Sequence, residues 1–161
     1  MEIDTVIADY QKQKHAEDIR ELLDIYATDP MGGGKPLVSE VKKNIVTELS
    51  KIPHAFSILA YKNDKAVALA NCFQGFSTFN CKPIINIHDF MIINSCRGLG
   101  FSQKLLEKIE HVAIKRGCCK ITLEVLSNNS AAKAAYMKFG FNSYELNPDH
   151  GSALFWQKLL G

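Results

Sequence analysis

The middle of the chain joins an isoleucine-rich run, a break with two glycines and an amphipathic run. Residues 84–93 read Ile-Ile-Asn-Ile-His-Asp-Phe-Met-Ile-Ile, and such a run, apolar on both alternating faces, predicts a buried strand. Residues 94–100 read Asn-Ser-Cys-Arg-Gly-Leu-Gly, and glycines let a backbone turn sharply and approach a ligand closely. From Phe101 onward, apolar side chains recur with a helical period, at positions 105, 106, 109, 112 and 113. The sequence therefore predicts a strand, a glycine turn and a helix in succession.

This succession is a layout that can bind a phosphate group. The first N–H groups of a helix have no partner inside the helix, and the helix dipole adds about half a positive charge at that end. A glycine turn lets a phosphate come close to these groups. Many glycine turns join a strand to a helix for packing alone, so this pattern by itself leaves both interpretations open.

Two motifs in and after this region resemble the signatures of the GCN5-related N-acetyltransferases (GNAT). Arg97-Gly-Leu-Gly-Phe-Ser102 is similar to the family's acyl-CoA-binding signature, which is Arg or Gln, two residues, Gly, one residue, and Gly or Ala. Ser102 stands where the family usually has Gly or Ala. Residues 123–141, Leu-Glu-Val-Leu-Ser-Asn-Asn-Ser-Ala-Ala-Lys-Ala-Ala-Tyr-Met-Lys-Phe-Gly-Phe, resemble its second signature, in the same order along the chain.

The resemblance implies an α/β fold of the acyl-CoA N-acyltransferase type. Such a fold has a central mixed, mostly antiparallel sheet with helices on both faces, here as a single N-acetyltransferase domain over residues 1–161. In this family the two central parallel strands separate at their ends, and the pantetheine arm of the cofactor lies in the gap. These strands correspond here to residues 84–93 and 120–126. Their separated backbone groups need partners, which the amides of the arm can supply.

The rest of the chain predicts mixed helices and strands without repeats. Further strands are expected at 3–7, 55–61, 66–73, 141–145 and 153–159. Helices are expected at 14–27, 38–52 and 130–139, and the helix that begins at 101 should end near Gly117. The glycine-rich segment 29–36 must be a loop.

Composition narrows the function classes. A net charge of +2 favours neither a nucleic-acid partner nor a membrane surface, and no run approaches the roughly 18 apolar residues of a membrane span. The N-terminus lacks the pattern of a signal peptide. The chain has five cysteines, an odd number without a Cys-x-x-Cys pair, which indicates reduced thiols in a cytoplasmic protein and no metal site.

The resemblance implies an acetyl-CoA-dependent N-acetyltransferase in which a primary amine of a small molecule or peptide attacks the thioester directly. A catalytically silent CoA-binding or regulatory module of the same fold is the alternative, and a homodimer is left open. The resemblance also implies that the cofactor is bound by the end of the strand, the turn and the second motif. These residues are Phe90, Met91, Ile92, Arg97, Gly98, Leu99, Gly100, Phe101, Ser102, Gln103, Asn129, Ala131 and Tyr136.

Acyl transfer to an amine needs a neutral amine, a donor for the oxyanion and a proton for the departing thiolate. A backbone N–H group on strand 84–93 can serve the oxyanion. By its place in the second motif, Tyr136 is the expected acid, since tyrosine titrates at about 10 and a thiol at about 8.5. A tyrosine that only packs on its helix is the alternative. Asn129 is expected to cap its helix, to bind the pantetheine arm, or both.

The proton acceptor is left open between Glu124 and His88. Glu124 resembles the glutamate that accepts the proton in the ribosomal-protein alanine acetyltransferases, and a glutamate paired with a neighbour on a half-exposed strand is the alternative. His88 interrupts an apolar strand, and histidine ordinarily titrates at about 6.5; a satisfied core histidine is its alternative. Asp89 sits where spermidine/spermine acetyltransferases carry acidic residues near the polyamine, and alternation predicts that His88 and Asp89 point to opposite faces.

The glycines of the first loop are the last candidates. Gly32 and Gly33 belong to the run Met31-Gly-Gly-Gly-Lys-Pro36, which lacks the Gly-Lys-Ser/Thr of a P-loop. They are expected either to bind the acceptor substrate within a mobile lid or to form a connector with no functional role.

Overall fold

A computed structural model describes residues 3–145 and 147–161 of the protein. The chain forms two compact units, one that ends at Leu123 and one that begins at Glu124. None of the helices in the described residues is long and apolar enough to cross a membrane.

The first unit is built on a sheet of five strands in sequence order. These are β1 (Asp4–Ile7), β2 (Ala55–Lys62), β3 (Lys65–Ser77), β4 (Lys82–Ile92) and β5 (Ile121–Leu123). Each of the first four strands pairs antiparallel with the next, whereas β4 and β5 pair in parallel. A parallel pair needs a long crossover, and the segment between these strands contains the predicted helix. The expectation of a mixed, mostly antiparallel sheet is confirmed.

Three helices cover the two faces of this sheet. Helices α1 (Gln13–Thr28) and α2 (Ser39–Ser50) bury their apolar sides on one face, in a cluster with Leu59, Leu69 and Met91. Neighbouring strand residues such as Ile58 and Ala70 are fully buried too, and alternation directs them to the opposite face. Helix α3 (Phe101–Lys115) contacts the strands there. Helices on both faces are therefore confirmed.

The second unit contains helix α4 (Ser130–Phe139), as predicted. Asn129 caps its first turn, because the side-chain Oδ1 accepts a hydrogen bond from the N–H of Ala132 at 3.2 Å. Gly140 ends the helix in the left-handed region, at a φ of 108°. A short 3₁₀ turn follows at Pro148–His150.

The prediction of two closing strands, at 141–145 and 153–159, is wrong for the described structure. Both segments lack regular secondary structure, and the side chains of Leu154, Phe155 and Trp156 are 75%, 81% and 83% exposed. A short segment with apolar and aromatic residues forms a strand only where a neighbouring strand supplies hydrogen-bond partners. No strand among the described residues pairs with either segment.

Candidate active site

The parallel pair of strands is where the candidate site begins. The ladder between β4 and β5 runs from Ile85–Ile121 to Ile87–Leu123 and stops there, while β4 continues to Ile92. The predicted strand at 120–126 is thus shorter, Ile121–Leu123. Beyond Ile87, β4 keeps its pairing with β3 on one side and has no ladder with β5 on the other. Part of a central strand is therefore left without its second ladder, as the expected gap requires.

The glycine turn leads from β4 into α3. A 3₁₀ turn at Asn94–Cys96 is followed by Gly98 and Gly100, with φ values of 76° and 92°. Residues with a Cβ seldom adopt this left-handed conformation. A Cβ built on Gly98 meets no heavy atom within 4 Å, so the space beside the turn is open. The buried ring of Phe101, which is 1% exposed, fixes the start of α3 behind it.

Arg97 fastens this turn to two other parts of the unit. Its Nε donates to the carbonyl oxygen of Ile92 at 3.2 Å, and its Nη2 donates to Oδ2 of Asp29 at 2.8 Å. Asp29 also accepts a hydrogen bond from the N–H of Met31. These two interactions, with the Met31 bond the larger, lower the pKa of Asp29. The loop after α1 is therefore held against the glycine turn by an ion pair that the sequence did not predict.

The glycines of the first loop have a local structural role. A Cβ on Gly32 would lie 1.9 Å from the carbonyl oxygen of Tyr26, so the close approach of the loop to the end of α1 requires glycine. Gly33 has a φ of 123°. The N–H groups of Gly32 and Gly34 both donate to the carbonyl oxygen of Asp29. The loop is a hydrogen-bonded turn, and an acceptor-binding role for Gly32 and Gly33 stays a prediction.

A β-bulge in β4 changes the expected directions of His88 and Asp89. Asp89 pairs with Asn71 of β3, while Ile87 pairs with Cys72, so His88 is an extra residue in β4. The side chain of Asp89 contacts Asn71, and the ring of His88 lies edge-on to Phe73, with centroids 5.5 Å apart. Asn71 and Phe73 are two positions apart and share a face of β3. The prediction of opposite faces is therefore wrong, because the bulge interrupts the alternation.

The exposure of His88 bears on one of its two interpretations. Its side chain is exposed, which excludes the alternative of a satisfied core histidine. Phe73, which His88 contacts, also lies against the ring of His54 at 6.3 Å between centroids. His88 thus stands on an accessible aromatic surface next to Asp89.

A chain of polar side chains crosses the same face of the sheet and ends at Asp89. The hydroxyls of Tyr10 and Ser57 are 2.9 Å apart, Ser57 Oγ donates to Asn71 Oδ1 at 2.6 Å, and Asn71 Nδ2 donates to Asp89 Oδ2 at 2.9 Å. Burial is the main cause that raises the pKa of Tyr10. Tyr26, on α1, has a pKa raised by burial and by the charges of Asp89 and Asp29.

Two expected catalytic residues lie in the second unit. Tyr136 is the buried residue of α4, and its ring packs against that of Phe141 with centroids 5.8 Å apart. Glu124 is exposed, lies outside any strand and forms no ion pair with a described residue. Its alternative as a paired strand glutamate is therefore not what the structure shows. Ala131, in the first turn of α4, is exposed.

The remaining expected cofactor residues occupy the end of β4 and the start of α3. The side chain of Met91 belongs to the buried cluster with α1, so Met91 can face a ligand only through its backbone. Phe90 and Ile92 continue the ladder with β3. Leu99 is 45% exposed, and Ser102 and Gln103 are half-buried on the first turn of α3.

Sequence reasoning missed Asn71, Ser57, Tyr10 and Asp29. A signal existed for the first two, since Ser57 and Asn71 interrupt the otherwise apolar strands at 55–61 and 66–73. Their contact could not be foreseen, because it depends on the register between β2 and β3.

The cysteines do not form a second site within the described residues. All five are free, and burial raises the pKa of the Cys72 thiol far above its usual range. No group of three or more His, Cys, Asp or Glu side chains that could hold a metal ion occurs within residues 3–145 and 147–161.

A mixed sheet whose parallel ladder stops beside a glycine turn and a helix start is the arrangement that the resemblance to the acyl-CoA N-acyltransferase fold implies. The sequence matches the model of the acetyltransferase (GNAT) family over residues 17–141. The chain belongs to this family and is an N-acetyltransferase. The resemblance of its two motifs is thereby confirmed.

Solved structures share this fold at low sequence identity. A probable acetyltransferase has a TM-score of 0.80 at 13% identity, with 100% of this chain and 99% of that chain covered. AAC(6')-Iy, solved with the bisubstrate analogue CoA-S-monomethyl-acetylneamine, has a TM-score of 0.77 at 15% identity, with 99% and 100% covered. Aminoglycoside antibiotic 6'-N-acetyltransferase AAC(6')-Ih from Acinetobacter baumannii has a TM-score of 0.74 at 16% identity, with 99% and 100% covered. No curated protein matches the chain at a significant level of sequence similarity.

Proposed function

We propose that this protein transfers an acetyl group from acetyl-CoA to a primary amine of a small molecule or peptide, with residues 1–161 acting as one domain. The observation that carries the proposal is the glycine turn at the start of α3, where Gly98 and Gly100 adopt left-handed conformations and the space beside Gly98 is open. The family match supports acetyl transfer as the reaction.

The donor substrate fits the residues of this turn. The N–H groups at the start of α3 point out of the helix, and the dipole of α3 favours an anion there. The diphosphate of acetyl-CoA supplies that anion. The pantetheine arm then lies along the part of β4 that has no ladder with β5, where backbone groups can accept and donate its amide hydrogen bonds. Asn129 is proposed to donate or accept a further bond with the same arm.

The proposed reaction forms one C–N bond and breaks one C–S bond. The neutral amine attacks the thioester carbonyl carbon, and a backbone N–H of β4 stabilises the oxyanion. As the intermediate collapses, Tyr136 gives its phenolic proton to the departing thiolate. The proton lost by the amine goes to Glu124, to His88 or to solvent, and the three alternatives stay open.

We propose that the acceptor amine binds beside the bulge on β4. Asp89 and the exposed His88 lie on one accessible face of the sheet. A carboxylate can bind an ammonium group of an acceptor, and a histidine can accept a proton from an amine. The Acinetobacter baumannii structure of similar fold is an aminoglycoside 6'-N-acetyltransferase, which favours small polar amines in a first screen. The free thiols fit a reducing compartment, and we place the reaction in the cytoplasm.

The experiment is a screen of amines and peptides with acetyl-CoA, in which thiol detection records the released CoA. We expect amine-dependent release and an acetylated amine of the corresponding mass. Acetyl-CoA binding in calorimetry without release for any amine would reject the transferase and favour the catalytically silent module. Absence of acetyl-CoA binding would reject both.

A further inference from the structure

Ser57 and Asn71 are the two buried polar residues among the described part of the chain, 0% and 3% exposed. Burial of a polar group is unfavourable unless it is hydrogen-bonded. Replacing two hydrogen-bonded groups by apolar groups of the same shape is often neutral for stability. Stability alone therefore does not account for this pair in the middle of an apolar sheet.

The hydrogen bonds of the pair have one consistent direction. Ser57 has a single hydroxyl proton, which it donates to Asn71 Oδ1. Since that proton is used, the bond between Tyr10 and Ser57 is donated by Tyr10. With its carbonyl oxygen occupied by Ser57, Asn71 presents its amide N–H group to Asp89 Oδ2. The chain Tyr10, Ser57, Asn71 thus ends in a donor whose orientation is fixed by two residues behind it.

Asp89 keeps a negative group for a ligand. Its second oxygen, Oδ1, accepts no hydrogen bond from a residue in the described ranges, and the Asp89 side chain is half-buried rather than buried. No lysine, arginine or histidine among these residues forms an ion pair with it. A carboxylate without a cation partner attracts an ammonium group, and the interaction strengthens where the carboxylate is partly removed from water.

We propose that Asn71 is a positioning residue, which with Ser57 and Tyr10 behind it holds the Asp89 carboxylate so that Oδ1 binds an ammonium group of a cationic acceptor. The inference rests on the proposed function, because it assigns the acceptor of that reaction to the class of small amines with a further positive charge. Asn71 itself does not touch the acceptor. Its role is to remove the rotational freedom of the Asp89 side chain.

The test measures cation binding separately from acetyl transfer. Neamine and butane-1,4-diamine are titrated into the full-length protein in a calorimeter, with fully N-acetylated neamine as the uncharged control. We expect at least one of the two cations to bind and the uncharged control not to bind. Asp89→Asn should abolish binding. Asn71→Leu, which keeps a similar volume without the donor, should weaken it roughly tenfold, the scale of one hydrogen bond to a charged group.

Cys72→Ala is the matched control, because Cys72 follows Asn71 on β3, is fully buried and faces the other side of the sheet. It should lower the melting temperature and leave cation binding unchanged. Ser57→Ala should weaken binding less than Asn71→Leu. In the acetylation assay, Asn71→Leu should raise KM for a cationic amine and leave KM for acetyl-CoA unaltered.

Unchanged cation binding in folded Asn71→Leu, or no binding of either cation by the wild-type protein, would overturn the inference. An equal loss of binding in Cys72→Ala would also overturn it, since a general loss of packing would then explain the effect. Failure of the proposed function is seen separately, as the absence of CoA release from a protein whose cation binding depends on Asn71.

Discussion

Gly100 adopts a left-handed backbone conformation at the start of α3, where an added Cβ would lie 3.9 Å from Cδ1 of Ile3. Its φ is 92°, where a β-branched residue is strongly disfavoured. We expect Gly100→Val to weaken acetyl-CoA binding by at least tenfold, because the side chain would both strain the turn and occupy space proposed for phosphate. Calorimetry with acetyl-CoA measures the change.

The matched control is Gly117→Val at the other end of α3. Gly117 has a φ of 69° and open space around an added Cβ, so the strain is similar and the position is different. Gly117→Val should lose stability and keep its affinity for acetyl-CoA. Equal affinities in the wild type and in folded Gly100→Val would refute the assignment of the turn.

Tyr136 allows a second test at the level of one atom. Tyr136→Phe removes the hydroxyl and leaves the ring that packs against Phe141. If the hydroxyl protonates the departing thiolate, kcat should fall by about two to four orders of magnitude, with little change in acetyl-CoA affinity. Steady-state kinetics and calorimetry provide the two measurements. Tyr144→Phe, at an exposed tyrosine, is the control, and wild-type turnover in Tyr136→Phe would sink the assignment.

Between elements, the Asp29–Arg97 ion pair joins the loop after α1 to the glycine turn. The pKa of Asp29 is lowered from its ordinary value of 3.8 by the Met31 N–H and by Arg97. A lowered carboxyl pKa stabilises the fold above the ordinary pKa, and that contribution is lost as the pH falls through the lowered pKa. At neutral pH the link is therefore fully formed.

We expect Asp29→Asn to raise amide hydrogen exchange in residues 29–36 at neutral pH, because the loop loses both the charge and the strongest acceptor at its base. Hydrogen exchange followed by mass spectrometry reports the change. Wild-type protein should show the same loss of protection in residues 29–36, measured relative to intrinsic amide exchange at each pH, only at strongly acid pH. Lys51→Ala, which removes an exposed ion pair with Glu48 elsewhere, should leave this loop unaffected; an unaltered loop in Asp29→Asn would contradict the prediction.

The elements that carry their own signal were predictable, and the contacts between them were not. Residues 84–93 and Phe101 gave the strand and the helix start almost at their observed bounds, since local apolar period and glycine turns determine both. The bulge at His88 depends on the register between β4 and β3. The sequence of β4 alone does not show that one of its residues lacks a partner in β3. The same dependence on register hid the contact between Ser57 and Asn71.

At the scale of the whole molecule, the last segment has the sequence of a strand without the structure of one. Residues 153–159 read Ala-Leu-Phe-Trp-Gln-Lys-Leu, a short apolar run, and their large apolar side chains are exposed. Sequence pattern can show that a segment is able to form a strand. It cannot show that a partner edge is available to it.

The single tryptophan of the chain, Trp156, makes this segment measurable, since its side chain is 83% exposed. We expect fluorescence emission close to that of tryptophan in water, efficient quenching by acrylamide, and no dependence on protein concentration. A blue shift that grows with concentration would indicate that a second copy covers the segment. A blue shift at every concentration would contradict the exposed state.

The extra residue in β4, His88, can be removed or inserted without changing how the rest of β4 pairs with β3. Asn71 and Cys72 are adjacent in β3 and pair with Asp89 and Ile87, so deletion of His88 would leave every other pair of the two strands in place. The buried faces of Ile85 and Ile87 would keep their direction, and the strand would lose only its bend and one polar side chain. A single inserted codon is therefore sufficient to turn a regular strand into one that presents a histidine beside an aspartate, without any compensating change in the core.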